Sequence, residues 1–474
     1  MTIEQIYTGC LAQGAYYITS NGEAAIIDPI REIKPYLNRA AKDGVTIKYI
    51  FETHFHADFV SGHVDLAKAT GATIIYGPTA NPSFNAHIAT DGEIFQLGDI
   101  HFKAIHTPGH TMESTCYLLV DEAGKDNALF TGDTLFIGDV GRPDLAQKAA
   151  HLTQEQLATI LYHSLRNKVM VLADDVIVYP AHGAGSACGK NMSKETVSTI
   201  GNQKLHNYAL RANMTEVEFV KEVTNGLLPP PVYFPLNVAM NKNGSESIDV
   251  VMNRGLQEMT ATEFETAANE TDALLLDTRN AQTFSEGFIP NSINIGLDGQ
   301  FAPWVGALIP DIKQTILLIA EEGKEEETIT RLARVGYDNV IGYLKGSFAT
   351  WKNANKEIDT VNRITAEQLA TSSNKGKPII VDVRRTTEYE AEHVDGAINI
   401  PLDDINNNLE KFSKKQPFII HCAGGYRSMM AASILKARGW DNFVDVVGGF
   451  TAISKTNVAK TAFVCPSTLK NNSF

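Results

Sequence analysis

Between residues 53 and 183 the chain carries an ordered set of groups that could hold a metal ion. Thr53-His54-Phe55-His56-Ala57-Asp58 comes first, directly after an apolar, strand-like run. Gly109-His110, Thr131-Gly132-Asp133 and Pro180-Ala181-His182-Gly183 follow. Each piece sits where a hydrophobic strand ends and a small-residue loop begins, so the side chains can converge at one end of a sheet. A divalent cation needs several nitrogen and oxygen donors on rigid elements, and histidine with aspartate in this pattern supplies them. A lone histidine on a polar loop is ordinarily a surface residue, but four pieces in this order are not explained that way. Two neighbours have two readings each. Arg142, in DVGRPDL, binds an anionic group of a substrate or closes a loop salt bridge. Cys188, in HGAGSACGK, is a thiol near the metal that carries sulfur or a small packing residue. Cys10 and Cys116 lie in strand-like surroundings and read as structural.

A second set begins at Cys422. Cys422-Ala423-Gly424-Gly425-Tyr426-Arg427-Ser428 lies between the strand-like PFIIH and the helical MMAASILKARG. That order places the sulfur in a ring of backbone N–H groups at a helix N-terminus, where the dipoles stabilise a thiolate and equally a persulfide anion. Cys422 is the expected nucleophile, and Arg427 closes the loop and adds positive charge for an incoming anion. Gly424, Gly425 and Tyr426 are the expected lining of that place. The spacing is C-x4-R, one residue shorter than the C-x5-R loops that surround a phosphate. An earlier stretch has the same surroundings without the chemistry. Its strand TILLIA leads to Ala320-Glu321-Glu322-Gly323-Lys324-Glu325-Glu326. Aligning the strand ends puts Ala320 opposite Cys422 and Glu325 opposite Arg427, so nucleophile and cation are both missing and the loop repels sulfur anions.

The elements that must position these groups follow from periodicity. AYYITS, Asn21-Gly22 and EAAIIDP read as two strands around a tight hairpin. A helix near Glu32–Asp43 is closed by Gly44, and TIKYIFET is a strand. Strand and helix signals alternate to about Asp174–Tyr179, and a polar helical region near Ser193–Val223 completes the block. Pro229, Pro230, Pro231 and Pro235 then mark a stiff extended segment, with a domain boundary near residue 250. Behind it lies an internal repeat. DTRNAQTFSEGFIPNSINI from Asp277 aligns without gaps to DVRRTTEYEAEHVDGAINI from Asp382, an offset of 105 residues. The alignment pairs Arg279 with Arg384, Phe284 with Tyr389 and Asn294 with Asn399. A period this long fits two copies of one domain of roughly 100 residues rather than a solenoid. The expected domains are 1–250, 258–355 and 360–460.

Composition limits the chemistry. The 474 residues are 43% hydrophobic and 20% charged, a globular balance, and a net charge of −14 disfavours nucleic acid and anionic lipid as partners. No run approaches the roughly 18 apolar residues of a membrane span, and the N-terminus lacks the pattern of a signal peptide. The five cysteines are far apart and form no C-x-x-C pair, which fits a reducing cytoplasm and not a disulfide framework.

The first ordered set resembles the metallo-β-lactamase superfamily, whose pattern is H-x-H-x-D-H, then His, Asp and His, in an αββα sandwich. The stretch from VDVRRTTEYEAEHVDGAINIP through the C-x4-R loop resembles the rhodanese family. The resemblance implies a multidomain α/β fold, a metallo-β-lactamase sandwich followed by two rhodanese-like domains with parallel sheets, the first of them inactive. Phe59 stands where the superfamily's last histidine of H-x-H-x-D-H helps Asp58, Asp133 and His182 hold a second metal. Phenylalanine has no donor atom. What remains is His54, His110 and Asp133, a set of two histidines and a carboxylate that suits non-haem Fe(II) and matches the iron ligands of persulfide dioxygenases. His56, Asp58 and His182 would then orient ligands or move protons. The domain order resembles bacterial persulfide dioxygenase–sulfurtransferase fusions. It implies one non-haem Fe(II) per chain, with a low-molecular-weight thiol persulfide, O2 and sulfite as partners, a possible homo-oligomer, and a place in sulfide detoxification. The alternatives are a glyoxalase II-like dinuclear zinc thioester hydrolase with an accessory rhodanese, and a non-catalytic persulfide sensor or carrier.

Overall fold

Asn21 and Gly22 both adopt positive φ (42° and 81°) and turn the strand Gln13–Ser20 into Glu23–Ile27, as a two-residue hairpin of right-handed strands requires. The expected helix runs Lys34–Asp43 and ends on Gly44 in the left-handed region. These elements open a computed structural model that describes residues 1–227, 229–373 and 378–465. It divides into two units, Met1–Ile248 with Ala333–Gly336, and Asp249–Leu332 with the residues from Tyr337 onward.

The first unit holds two six-stranded sheets. One is ordered Thr2–Thr8, Gln13–Ser20, Glu23–Ile27, Thr46–Phe51, Thr73–Tyr76 and His87–Ile88. The other runs Ser198–Thr199, Ile177–Pro180, Asp126–Gly132, Thr115–Val120, Ile100–His106 and Ile94–Leu97. Alternation assigns the faces. Tyr117 and Leu119 point inward with Phe102, Phe130, Phe51, Ile27 and Tyr16. Cys116, Leu118 and Val120 point outward under Leu161, Leu165 and Phe219 of the covering helices. Each fully buried ring or branched chain is worth about 1.5–3 kcal/mol of transfer free energy, so this interior fixes the sandwich. On the other side Tyr36 and Leu66 bury the helices Lys34–Asp43 and His63–Thr70. The layer order is αββα.

The second unit holds two five-stranded parallel sheets of one topology. The first is ordered Glu258–Met259, Val340–Leu344, Ile316–Ile319, Leu274–Asp277, Ile293–Asn294. The second is ordered Arg363–Ile364, Phe443–Val446, Phe418–His421, Ile379–Asp382, Ile398–Asn399. The repeated residues make the same buried network twice. Arg279 binds the Asp277 carboxylate through Nε and Nη2, and Asn294 Nδ2 donates to the carbonyls of Asp277 and Arg279. Arg384, Asp382 and Asn399 repeat those bonds. A buried ion pair is tolerated when its remaining polar atoms are satisfied, which explains why these side chains recur in the sequence.

One strand is additional to those expected, and two expectations need correction. The strand Thr2–Thr8 carried no strand reading, and it pairs antiparallel with Gln13–Ser20. The region Ser193–Val223 is not one helical block: it contains the strand Ser198–Thr199 and separate helices Ile200–His206 and Glu216–Thr224. The proline-rich segment leads straight into a helix, Phe234–Asn243, which Pro235 enters at its first turn, where a missing N–H costs nothing. Among the described residues no helix is long and apolar enough to cross a membrane.

Candidate metal centre and sulfur-transfer loop

Four strand ends deliver the metal-binding candidates. His54, His56 and Asp58 follow Thr46–Phe51, His110 lies between Ile100–His106 and Thr115–Val120, Asp133 follows Asp126–Gly132, and His182 follows Ile177–Pro180. The loop after Asp133 folds back because residue 141 is glycine: a Cβ there would stand 2.0 Å from the Asp133 carbonyl oxygen and 2.9 Å from His110 Nδ1.

Each histidine is oriented through its Nδ1. His110 Nδ1–H donates to the Arg142 carbonyl at 2.9 Å, and His182 Nδ1–H to the Ala12 carbonyl at 3.3 Å. Thr53 Oγ1 donates to Asp28 Oδ2 at 2.8 Å and so accepts from His54 Nδ1 at 3.0 Å. All three therefore present Nε2 to the same place. His54 and His110 Nε2 lie 3.8 and 3.5 Å from Asp133 Oδ2, and His182 Nε2 lies 3.6 Å from Asp133 Oδ1. The donor atoms of His54, His110 and Asp133 lie within 4.8 Å of one another. Both Asp133 oxygens and His182 Nε2 are buried without a hydrogen-bond partner, a costly arrangement that a cation relieves. Burial, then the neighbouring His56, His110 and His182, holds the His54 pKa well below its ordinary value, which leaves a neutral imidazole able to ligate. The residues present fit a bound metal.

His56 is held differently. Its Nε2 lies 3.1 Å from Asp28 Oδ1 and 3.5 Å from Glu52 Oε2, and its ring lies 4.3 Å from that of Phe59, tilted by 31°. Burial opposes its charge, but Asp28, followed by Glu52 and Asp58, raises its pKa to about 9. His56, Asp58 and His182 also gather donors within 4.8 Å. Asp28 and Glu52 had no role in the sequence reading; Glu52 adjoins the His54 motif in the sequence, whereas Asp28 lies well upstream at the end of Glu23–Ile27 and meets His56 only in the fold. Asn241 had no signal. It sits in the helix after the prolines, and its Nδ2 donates to the carbonyls of His56 and Phe59 while its Oδ1 accepts from the Ser61 N–H.

Arg142 takes the salt-bridge role. Nε and Nη2 each donate to the Asp144 carboxylate at 2.7 Å, and Nη1 to the Ala187 carbonyl at 3.2 Å. Cys188 is brought to the centre, with donor atoms of Asp133 and His182 within 4.8 Å of its sulfur. Burial, then the carboxylates of Asp58 and Asp133, pushes its thiol pKa well above the ordinary value. Cys116 lies in the outer core, where burial raises its pKa to about 11.

In the second unit Cys422 is 1% exposed and accepts the Gly425 N–H at 3.1 Å. The helix begins at Tyr426. Arg427 does not stand ready for an anion as expected: both terminal nitrogens donate to the Glu388 carboxylate, at 2.6 and 2.8 Å. Tyr426 turns away from the expected pocket, its hydroxyl donating to the Gly296 carbonyl of the first repeat at 2.8 Å. Arg363, unremarked in the sequence, lies beside the loop in an ion pair with Asp445. In the first repeat the helix starts at Glu325, so by helix register Glu326, rather than Glu325, takes the place of Arg427. The loop before it is one residue longer, Ala320–Lys324 against Cys422–Gly425.

An αββα sandwich whose strand ends converge histidines and an aspartate defines a metallo-β-lactamase-type metal protein. The comparisons agree. Residues 8–182 match the metallo-beta-lactamase superfamily, and residues 260–354 and 365–456 match the rhodanese-like domain. The chain is 30% identical over 221 residues to the mitochondrial persulfide dioxygenase ETHE1 of Homo sapiens, covering 46% of this chain and 78% of that protein. It is 32% identical over 173 residues to a probable hydroxyacylglutathione hydrolase of Schizosaccharomyces pombe, covering 35% of this chain and only 62% of that protein. A crystal structure of a metallo-beta-lactamase from Staphylococcus aureus has 33% identity and a TM-score of 0.65, over 72% of this chain and 99% of that one. This chain belongs to the metallo-β-lactamase superfamily, with two tandem rhodanese-like domains behind the metal-binding one. The fold family implies a metal cofactor.

Proposed function

We propose that the chain is a non-haem Fe(II) persulfide dioxygenase coupled to rhodanese sulfur transfer at Cys422. The observation that carries this reading is the buried triad His54, His110 and Asp133, whose donor atoms lie within 4.8 Å of one another and whose two carboxylate oxygens have no hydrogen-bond partner, with a phenyl ring at Phe59 where a further donor would stand. An Fe(II) held there would supply the oxygen chemistry that takes the outer sulfur of a low-molecular-weight persulfide to sulfite. Thr53, Arg142 and Ala12 keep the Nδ1 protons of His54, His110 and His182 engaged, so that Nε2 is the free donor of each ring. Asp58 and His182 lie 3.5 Å apart and His182 Nε2 lies 3.6 Å from Asp133 Oδ1, which supports reading them as residues that orient ligands or move protons. Cys422, as its thiolate, takes the sulfane sulfur of a second persulfide molecule, giving a Cys422 persulfide anion and releasing the free thiol with its proton. Sulfite then attacks the outer sulfur, forming thiosulfate and returning the Cys422 thiolate. The Gly425 N–H faces the Cys422 sulfur.

The dinuclear thioester hydrolase is the second reading, favoured by the convergence of His56, Asp58 and His182 and by the hydrolase relative. Metal analysis of anaerobically purified protein, with oxygen uptake on glutathione persulfide, separates the two. One iron per chain and oxygen consumption that disappears in His110→Ala support the dioxygenase. Two zinc ions with thioester hydrolysis that follows zinc refute it. One iron without oxygen consumption points to a sensor or carrier.

A further inference from the structure

Neighbouring parts of the Cys422 loop are tied to the repeat that has no nucleophile. Tyr426 donates its hydroxyl proton to the Gly296 carbonyl at 2.8 Å, and its ring lies against two glycines. A Cβ on Gly296 would stand 3.2 Å from Tyr426 Cε2, and one on Gly299, where φ is +102°, would stand 3.5 Å from Cζ. Tyr426 opens the helix Tyr426–Ala437, so its seat sets where the helix begins. The residue before it, Gly425, supplies the N–H that reaches Cys422 Sγ. Arg363 stands on the other side of Gly425, its Nη2 3.6 Å from where a Cβ of that glycine would lie. Its Nε donates to Asp445 Oδ2 at 3.0 Å, and its Nη1 to Gln282 Oε1 of the first repeat at 2.5 Å. Further along the same helix, Ser433 Oγ accepts the Asn294 N–H of the first repeat at 2.9 Å.

We propose that the first repeat is the splint of the sulfur-transfer loop: Gly296, Gly299 and Gln282 seat Tyr426 and Arg363 so that the Gly425 N–H stays on the Cys422 sulfur. The proposal rests on the reading of Cys422 as the sulfur acceptor. A backbone donor stabilises a sulfur anion without reorganisation only if it is already in place, and a hydrogen bond weakens steeply when its angle opens. A lone helix N-terminus is free to shift; one clamped on both sides of Gly425 is not. The repeat whose loop reads Ala320-Glu321-Glu322 thus contributes to catalysis without chemistry of its own, and Tyr426 is a positioning residue rather than a substrate contact.

The test uses the full chain, with thiosulfate as sulfur donor and cyanide as acceptor, and Cys422→Ser as the reference that checks the underlying reading. Tyr426→Phe removes only the hydroxyl, Gly296→Ala crowds the ring, and Gln282→Ala cuts the arginine tie from an exposed position. Each is expected to lower kcat about three- to tenfold, the span of one hydrogen bond, with KM for thiosulfate unchanged. The rate of Cys422 alkylation by iodoacetamide, read by mass spectrometry at fixed pH, should fall in parallel. Oxygen uptake on glutathione persulfide should stay at the wild-type rate. Wild-type kcat and alkylation rate in all three variants, with Cys422→Ser inactive, overturn the splint and leave the role of Cys422 standing. Sulfur transfer by Cys422→Ser overturns both. A loss confined to KM assigns Tyr426 and Arg363 to substrate binding and also overturns the splint.

Discussion

Asn241→Ala removes a support of the metal-binding turn without touching a metal-binding candidate. Asn241 Nδ2 donates to the carbonyls of His56 and Phe59 and its Oδ1 accepts from Ser61 N–H, all at 2.8 Å. The residue is 1% exposed, so bulk water does not replace it. Alanine leaves two carbonyls and one N–H unpaired, each at a cost of about 1–3 kcal/mol. The vacated space admits some relaxation and a water, so the lower third of the sum applies, about 3–5 kcal/mol. For a unit of roughly 250 residues, at about 2–4 °C per kcal/mol, the midpoint of its calorimetric transition falls by about 6–20 °C. The turn from His54 to Asp58 loosens with it. Metal retention against a competing chelator should weaken by about 10–100-fold, the range for residues that orient ligands. Asn241→Asp keeps the acceptor for Ser61 but sets a carboxylate oxygen against the two buried carbonyls, so it should do no better than alanine. If Asn241→Ala stays within about 1 kcal/mol of wild type and holds metal equally well, the support assigned to this residue does not exist.

Three further outcomes follow. Cys422→Ser should consume oxygen with a persulfide and release sulfite while making thiosulfate only at the rate of a no-enzyme control with matched sulfite, because a hydroxyl does not carry sulfane sulfur at neutral pH; loss of oxygen uptake would show the two sites to be obligately coupled. Ala320→Cys should gain no sulfurtransferase turnover, since the helix after that loop opens on Glu325, Glu326 and Glu327 and like charge disfavours a thiolate; robust turnover in a Cys422→Ser background would contradict this. Burial, against its bonds to Ser428 and Arg363, raises the Asp445 pKa to about 6, so the folded state binds a proton that the unfolded state releases near pH 4. Its ionisation therefore costs stability as pH rises from about 4 to 6, by up to about 3 kcal/mol. The stability of wild type relative to Asp445→Asn should decline across that window in denaturant titrations, and a difference that stays flat or grows with pH would refute it.

Local order along the chain determined much of this protein. The hairpin at Asn21-Gly22, the Gly44 helix stop and the two parallel sheets follow from period-two and helical patterning with glycine punctuation, which act over a few residues, while the sandwich was implied by the resemblance to the metallo-β-lactamase superfamily. The gathering of His54, His110 and Asp133 was expected because each follows a strand-like run, although His110 reaches the common edge from the connection between two antiparallel strands. The duplication was legible because Asp277, Arg279 and Asn294 satisfy one another inside a single repeat, so selection of the network leaves the same letters twice. What only the tertiary structure decided is the partner each charged group takes. Arg427 belongs to Glu388 and His56 to Asp28; these ion pairs are chosen by distances across the fold, and sequence spacing does not encode them, whereas Arg142 pairs within its own loop with Asp144, one of the two readings its sequence left open. Asn241 and Gly296 show this most fully. One holds the metal-binding turn from a helix some 180 residues downstream and the other seats Tyr426 from 130 residues upstream. A hydrogen bond between segments so distant leaves no local pattern, because each partner satisfies its own surroundings until the fold brings them together.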